Sequence, residues 1–262
     1  MNIILTGGHS GIGLELTKML LKDGHKIGLI VRNEKRKNDA IAALGNIDNV
    51  DFFFADLSKQ EDIDNVAKSI QEKWDMIDGL FNNAGLLADK AYYSERGYEM
   101  QFEVNAIAPY LLTQKLKPLL DKSDKPFIIN TATGGLNRQK SLDIADLKKP
   151  KKFVKLLGSY LKSKVALVLL MNHLASQWPN IRVASVDPGS NKTDMTSGSG
   201  MPGWLLPLRN LLFAGPAKGG KKLYNGAFDA QFQGQSGVYI TGNKIKPVKV
   251  TLSAEEVEKI VN

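Results

Sequence analysis

The chain has 262 residues, 43% hydrophobic and 24% charged, which supports a substantial core and excludes a disordered polypeptide. It has no cysteine, which rules out disulfides, thiolate nucleophiles and thiolate metal sites, and its three histidines, His9, His25 and His173, are too scattered for a zinc site. The net charge of +8 could attract nucleic acid, an anionic membrane or a phosphorylated ligand, but no aromatic residues alternate with base-reading side chains, so no nucleic-acid partner is expected.

The chain opens on an apolar run, "NIILT" (2–6), with no basic leader before it. It flows into "TGGHSGIG" and a segment of helical period near 12–23. Glycines between a strand and a helix let the backbone approach a pyrophosphate, and the helix N-terminus offers free N–H groups. Gly7, Ser10, Gly11, Ile12 and Gly13 are therefore expected to bind a dinucleotide. No Gly-Lys-Ser/Thr follows, which excludes a P-loop. The second run, "KIGLIV" (26–31), ends in "LIVRNEKR" before a helical segment at 33–44. Val31 stands where an acid would meet ribose hydroxyls. Arg32, followed by Asn33, suits a 2′-phosphate, so NADP(H) is expected as cofactor ahead of NAD(H).

"VDFFFA" (50–55) leads to Asp56 and Leu57, then a helical segment at 59–74. "DGLFNN" (78–83) runs into "NNAG", followed by a helical segment at 97–121 that carries Asn105. "PFIINT" (126–131) precedes Thr133 and a lysine-rich stretch, "LKKPKKFVKLL" (147–157), read as a solvated loop and helix start. The segment 158–178 holds Tyr160 and Lys164, four residues apart and so on one helical face. An ammonium beside a phenol favours the phenolate and would bring the tyrosine toward neutral-pH proton transfer. The same spacing occurs at Tyr92 and Arg96, to which no role is assigned. "RVASVD" (182–187) is the sixth strand candidate, ending in "DPG" (187–189) with Thr193 beyond.

Strands alternating with helices predict an α/β fold, a doubly wound parallel sheet of about seven strands in a Rossmann-like three-layer sandwich. No linker divides the chain, so one domain over 1–262 is expected. Gly, Ser and Pro make the early part of residues 190–216 mobile, and Trp204, Leu205, Leu206, Leu208, Leu211, Leu212 and Phe213 make the later part apolar. "LSAEEVEKIVN" opens with a capping box, Ser253 and Glu256, and reads as a terminal helix. The run Val165 to Met171 is far too short for a span, so no integral membrane segment and a cytoplasmic protein are expected.

"TGGHSGIG", Asp56–Leu57, "NNAG", Asn105 in "VNA", Tyr160-x-x-x-Lys164 and "DPG" with Thr193 stand in the order found in the short-chain dehydrogenase/reductase family, which the chain resembles over nearly its whole length. "GPAKGGKKLYNGAF" and "SGVYITGNK" resemble most its retinol-dehydrogenase and protochlorophyllide-reductase branch. The resemblance implies that Tyr160 gives a proton to a carbonyl oxygen or takes one from an alcohol. It implies that Lys164 lowers the Tyr160 pKa and holds the nicotinamide ribose, and that Asn105 anchors a proton-relaying water. By the same resemblance Asn83, Ala84 and Gly85 line the cofactor, Asp56 and Leu57 flank the adenine, and Pro188, Gly189 and Thr193 hold the nicotinamide end. Thr133 stands where the family has a serine that bonds the substrate oxygen; it keeps the hydroxyl and adds a methyl. The implied activity is NADP(H)-dependent reduction of a ketone or aldehyde, or oxidation of the alcohol, on an apolar or aromatic small molecule. The alternative is an NADP-binding redox sensor or regulatory scaffold without turnover. The resemblance also implies that residues from about 190 to 216 close over the substrate as a lid, and family members are often homodimers or homotetramers.

Overall fold

A computed structural model of the chain describes residues 1–45, 47–201, 203 and 213–261. Of the expected lid residues, Trp204, Leu205, Leu206, Leu208, Leu211 and Leu212 lie outside the described residues. Seven parallel strands carry the fold: β1 (Asn2–Thr6), β2 (Lys26–Val31), β3 (Val50–Phe54), β4 (Gly79–Asn82), β5 (Phe127–Thr131), β6 (Arg182–Val186) and β7 (Val238–Thr241). An eighth, β8 (Lys244–Lys246), pairs antiparallel with β7 at the edge. The order is β3-β2-β1-β4-β5-β6-β7-β8. The expected strand count of about seven falls one short because β8 is three exposed residues. It is joined to β7 by a two-residue turn, Gly242 and Asn243, with φ of 57° and 59°. Those left-handed backbones match the twist of a hairpin.

Side chains alternate across the sheet. Ile4, Leu80 and Ile128 enter a core shared with helices α3 (Gln60–Lys73), α4 (Ala108–Leu120), α5 (Leu161–Gln177) and α7 (Ala254–Val261). Ile3, Leu5, Phe81, Phe127 and Ile129 enter a second core on the opposite face with α1 (Gly11–Lys22), α2 (Glu34–Leu44) and α6 (Pro216–Phe228). Both faces are covered, which is why the strand sequences are almost continuously apolar. Each fully buried Ile or Leu contributes about 1.5–3 kcal/mol. The capping box forms as expected: Ser253 N–H donates to Glu256 Oε2 at 2.8 Å and Glu256 N–H to Ser253 Oγ at 3.2 Å.

Two expected helices are not regular. The segment read as 97–121 is a short turn, Met100–Phe102, a π-helical stretch, Glu103–Ile107, and then α4. The segment read as 158–178 starts from a second π-helical stretch, Lys155–Tyr160. Asn105 lies in the first and Tyr160 ends the second. Such insertions cluster at functional sites because they re-aim side chains.

The strand order reverses at β1, flanked by β2 on one side and β4 on the other. The crevice beyond the carboxyl ends of β1 and β4 is therefore where a ligand is held in a sheet of this kind. Among the described residues no helix is long and apolar enough to cross a membrane.

Candidate active site

The loop after β1 is shaped by backbone proximity. Gly7 has φ of 70° and Gly11 φ of 55°, left-handed values that a side chain would strain. A Cβ on Gly13 would lie 2.2 Å from the Gly7 carbonyl oxygen, so the turn into α1 closes only around glycine. Ser10 starts α1 without a side-chain cap, and no acid occupies the first turn. The N–H groups of that turn are unpaired within the helix and present a partial positive charge. This is a cradle for a phosphate, and a dinucleotide fits it.

"NNAG" locks onto the same loop. Thr6 Oγ1 accepts from Asn83 N–H and Ala84 N–H, both at 3.0 Å. The Asn83 amide donates to Thr6 O at 3.1 Å and to Gly7 O at 3.2 Å. Thr193 closes the loop from the far side: a Cβ on Gly11 would meet its Cγ2 at 3.1 Å. Gly189, φ 75°, follows Pro188, and both carbonyls accept from the Asn191 amide. Thus Gly7, Gly11, Gly13, Asn83, Ala84 and Thr193 meet around one loop, and Pro188 and Gly189 are held through Asn191 just before Thr193.

The expected adenosine residues differ in what they have free. Arg32 is exposed and has no ion-pair partner among the described residues, whereas Lys35 and Arg36 both pair with Asp39. The Asn33 side chain caps α2 by accepting from Arg36 N–H at 3.1 Å. One Asp56 oxygen accepts from the Ser58 N–H and hydroxyl, and Leu57 packs against the core.

Asn105 and Lys164 come together at Gly85, with Tyr160 one helical turn before Lys164. A Cβ on Gly85 would lie 3.2 Å from Asn105 Oδ1 and 3.5 Å from Lys164 Nζ. The Lys164 ammonium, 2% exposed, donates to Thr131 O at 2.8 Å. Asn105 Oδ1 accepts from Leu86 N–H at 2.6 Å, and its amide donates to Ser163 Oγ at 3.0 Å. Ser163 Oγ in turn donates to Tyr160 O at 2.7 Å, tying the two π-helical stretches together. Ser163 has no place among the sequence expectations; its only signal is its position one turn beyond Tyr160.

Electrostatics run against one expectation. Burial, with a further push from the Asp187 carboxylate, drives the Tyr160 phenol up to about 12, not down. Burial likewise pulls Lys164 down from 10.5 to about 8. Lys164 is tied to a backbone carbonyl, and desolvation outweighs any help it gives the phenolate in the protein alone.

Thr133 stands just past β5, and the Tyr239 hydroxyl donates to its carbonyl at 2.8 Å. Asp187, 8% exposed at the end of β6, accepts from Gly189 N–H at 2.8 Å and from the Thr241 hydroxyl at 2.7 Å. A Cβ on Gly134 would lie 2.8 Å from its Oδ2, so this carboxylate packs against the Thr133 loop. Asp187 and Tyr239 thus pack against the Thr133 loop; the "DPG" motif displays the first but does not show what it faces.

A family model described as short chain dehydrogenase matches residues 1–141. A short-chain dehydrogenase/reductase from Armillaria gallica is 32% identical over 74% of this chain; the match covers 66% of that relative, just under two thirds of its length. Human retinol dehydrogenase 13 is 29% identical over 98% of this chain and 81% of the relative. In fold, the chain is similar to Pseudomonas aeruginosa RhlG in an NADP active-site complex, with a TM-score of 0.71, 24% identity, and coverage of 91% of this chain and 93% of that one.

Proposed function

Since the chain belongs to the short-chain dehydrogenase family, we propose that it is an NADP(H)-dependent oxidoreductase. It reduces a ketone or aldehyde of an apolar or aromatic small molecule, or oxidises the corresponding alcohol, with Tyr160 as general acid or base. The observation that carries this reading is the convergence of Asn105 and Lys164 on Gly85, beside the glycine loop, with Tyr160 one turn before Lys164. When bound, the nicotinamide supplies or accepts the hydride.

The protein's own residues do the rest. The α1 N-terminus and the Gly7–Gly13 loop hold the pyrophosphate, and unpaired Arg32 meets the 2′-phosphate. Lys164 holds the ribose beside Tyr160. Thr133 orients the substrate oxygen with its hydroxyl. With its pKa at about 12, Tyr160 stays protonated at neutral pH, the form that donates to a carbonyl oxygen as it gains charge. Asn105 fixes the geometry through Leu86 and Ser163 and anchors the proton relay.

Fluorescence titration with NADPH and NADH tests the reading, using the three tryptophans as donors. NADPH should bind tightly and NADH weakly. Arg32→Ala should weaken NADPH far more than NADH, and equal loss would remove the 2′-phosphate assignment. Tyr160→Phe should abolish turnover and leave cofactor affinity nearly unchanged. Cofactor binding with no turnover of any carbonyl by the parent protein would favour a redox sensor or scaffold instead.

A further inference from the structure

We propose that the face built from residues 90–93 and 148–157 docks this protein on an anionic lipid bilayer, beside the Tyr160 site. Among the described residues seven large apolar side chains are strongly exposed. Four of them, Tyr92, Tyr93, Val154 and Leu157, come from these two segments. The segments form one surface. The Met100–Phe102 turn packs against Lys155–Tyr160, and Met100 N–H donates to Tyr92 O at 2.9 Å. Asp89 accepts from the Tyr92 hydroxyl at 2.9 Å and from the Ser199 side chain. Lys155 Nζ donates to Ser199 O at 2.8 Å.

The exposure of Val154 and Leu157 is built by the backbone. Gly158 takes non-helical angles, φ −112° and ψ −109°, and a Cβ there would lie 2.5 Å from Val154 Cβ. Ser159 N–H donates to Val154 O at 3.0 Å. The turn buries Gly158 and Ser159 and leaves Val154 and Leu157 outside.

Charge completes the pattern. Lys90, Lys149, Lys151 and Lys152 are exposed, with Lys148 and Lys155 beside them. Nearby acids are few: Asp89 is engaged as described, Asp143 caps the short helix Ile144–Lys148, Asp146 is held by Lys162, and Glu95 is exposed. Lys90 lies over the Tyr92 ring at 5.4 Å. Tyrosines and aliphatic side chains set among lysines fit the headgroup boundary of an anionic bilayer. An acidic protein partner fits less well, since protein interfaces enrich arginine and deplete lysine. The arginine here, Arg96, is occupied by Glu103 and Val261 O.

The test is flotation of the whole protein with vesicles of phosphatidylcholine alone and of phosphatidylcholine with phosphatidylserine. Binding should need phosphatidylserine and be lost as salt rises to about 0.5 M. The Lys151→Ala/Lys152→Ala pair should weaken it roughly thirtyfold at low salt, from about 1 kcal/mol per lysine. Tyr93→Ser with Val154→Ser should also weaken it, and both pairs should keep the parent melting temperature and NADPH titration. Docking therefore stands or falls separately from the catalytic reading. No binding, or equal binding to neutral vesicles, would overturn the proposal. So would binding to soluble polyglutamate as tight as to vesicles, with no effect of the Tyr93/Val154 pair, which would assign the face to an acidic protein.

Discussion

Replacing Lys164 by methionine removes a charge that the fold keeps at a cost. The side chain is 2% exposed, its ammonium has one hydrogen bond, to Thr131 O, and no carboxylate pairs with it among the described residues. Burial lowers its pKa from 10.5 to about 8. At about 1.4 kcal/mol per pK unit, holding it charged costs the folded state about 3 kcal/mol below pH 8. Between pH 8 and 10.5 the folded chain releases a proton that the unfolded chain still holds, so stability rises with pH through that window. Methionine fills a similar straight-chain volume without charge. It leaves Thr131 O without its donor, a loss of about 1–3 kcal/mol that is the same at every pH. The parent should therefore gain about 2.5 kcal/mol on Lys164→Met between about pH 7 and about pH 10, measured by urea unfolding of both proteins without cofactor. A stability difference that stays flat across that range would refute the account of Lys164 as a buried, uncompensated charge.

Gly13→Ala would place a methyl 2.2 Å from Gly7 O; it should cost about 1–3 kcal/mol in thermal unfolding and abolish NADPH binding in the titration. Thr133→Val keeps the shape and removes the hydroxyl, so kcat should fall about 10²–10³-fold while Thr133→Ser stays near the parent; equal activity in the valine variant would remove Thr133 from the site. The pH profile of kcat/KM for reduction should stay level through neutrality and fall above about pH 8, where Lys164 loses its proton, well before Tyr160 titrates near 12. A profile level to pH 10 would place the Lys164 ammonium outside the chemistry.

Strands β1 to β6 were legible almost to the residue because each is a short, largely apolar run bounded by turn residues, whereas β7 was not placed. The glycine loop was legible because its spacing reflects the close approach of the chain's own backbone, Gly13 to Gly7 O and Gly7 to Ala84. The π-helical stretches were not, since their extra residue leaves apolar periodicity nearly intact and is set by packing around Gly158 and Ser163. Spacing also treats Tyr92–Arg96 and Tyr160–Lys164 alike, and only the fold separates them: Arg96 turns to Glu103 and Val261, while Lys164 is buried beside Asn105. Burial is a tertiary property, so the upward shift of Tyr160 could not be read from a neighbouring lysine. The hairpin at Gly242 and Asn243 was missed, because three exposed residues gave β8 too weak a pattern.

The irregular helices and the shifted pKa values have a common origin. A π-helical stretch gives up regular backbone pairing and persists only where its surroundings over-determine it. Here Leu86, Asn105, Ser163 and the Tyr160 carbonyl form one chain of hydrogen bonds across both stretches. That chain uses backbone groups and neutral side chains, so it fixes the position of Tyr160 without adding charge to neutralise Lys164 or to stabilise a phenolate. The protein alone is therefore geometrically preorganised but electrostatically unrelieved: Lys164 near 8 and Tyr160 near 12 are both held in their less hydrated environment. A bound ligand carrying negative charge would favour the Lys164 ammonium, raising its pKa and returning part of the burial cost. Ligand binding, fold stability and the protonation of Lys164 and Tyr160 are then linked through one buried lysine.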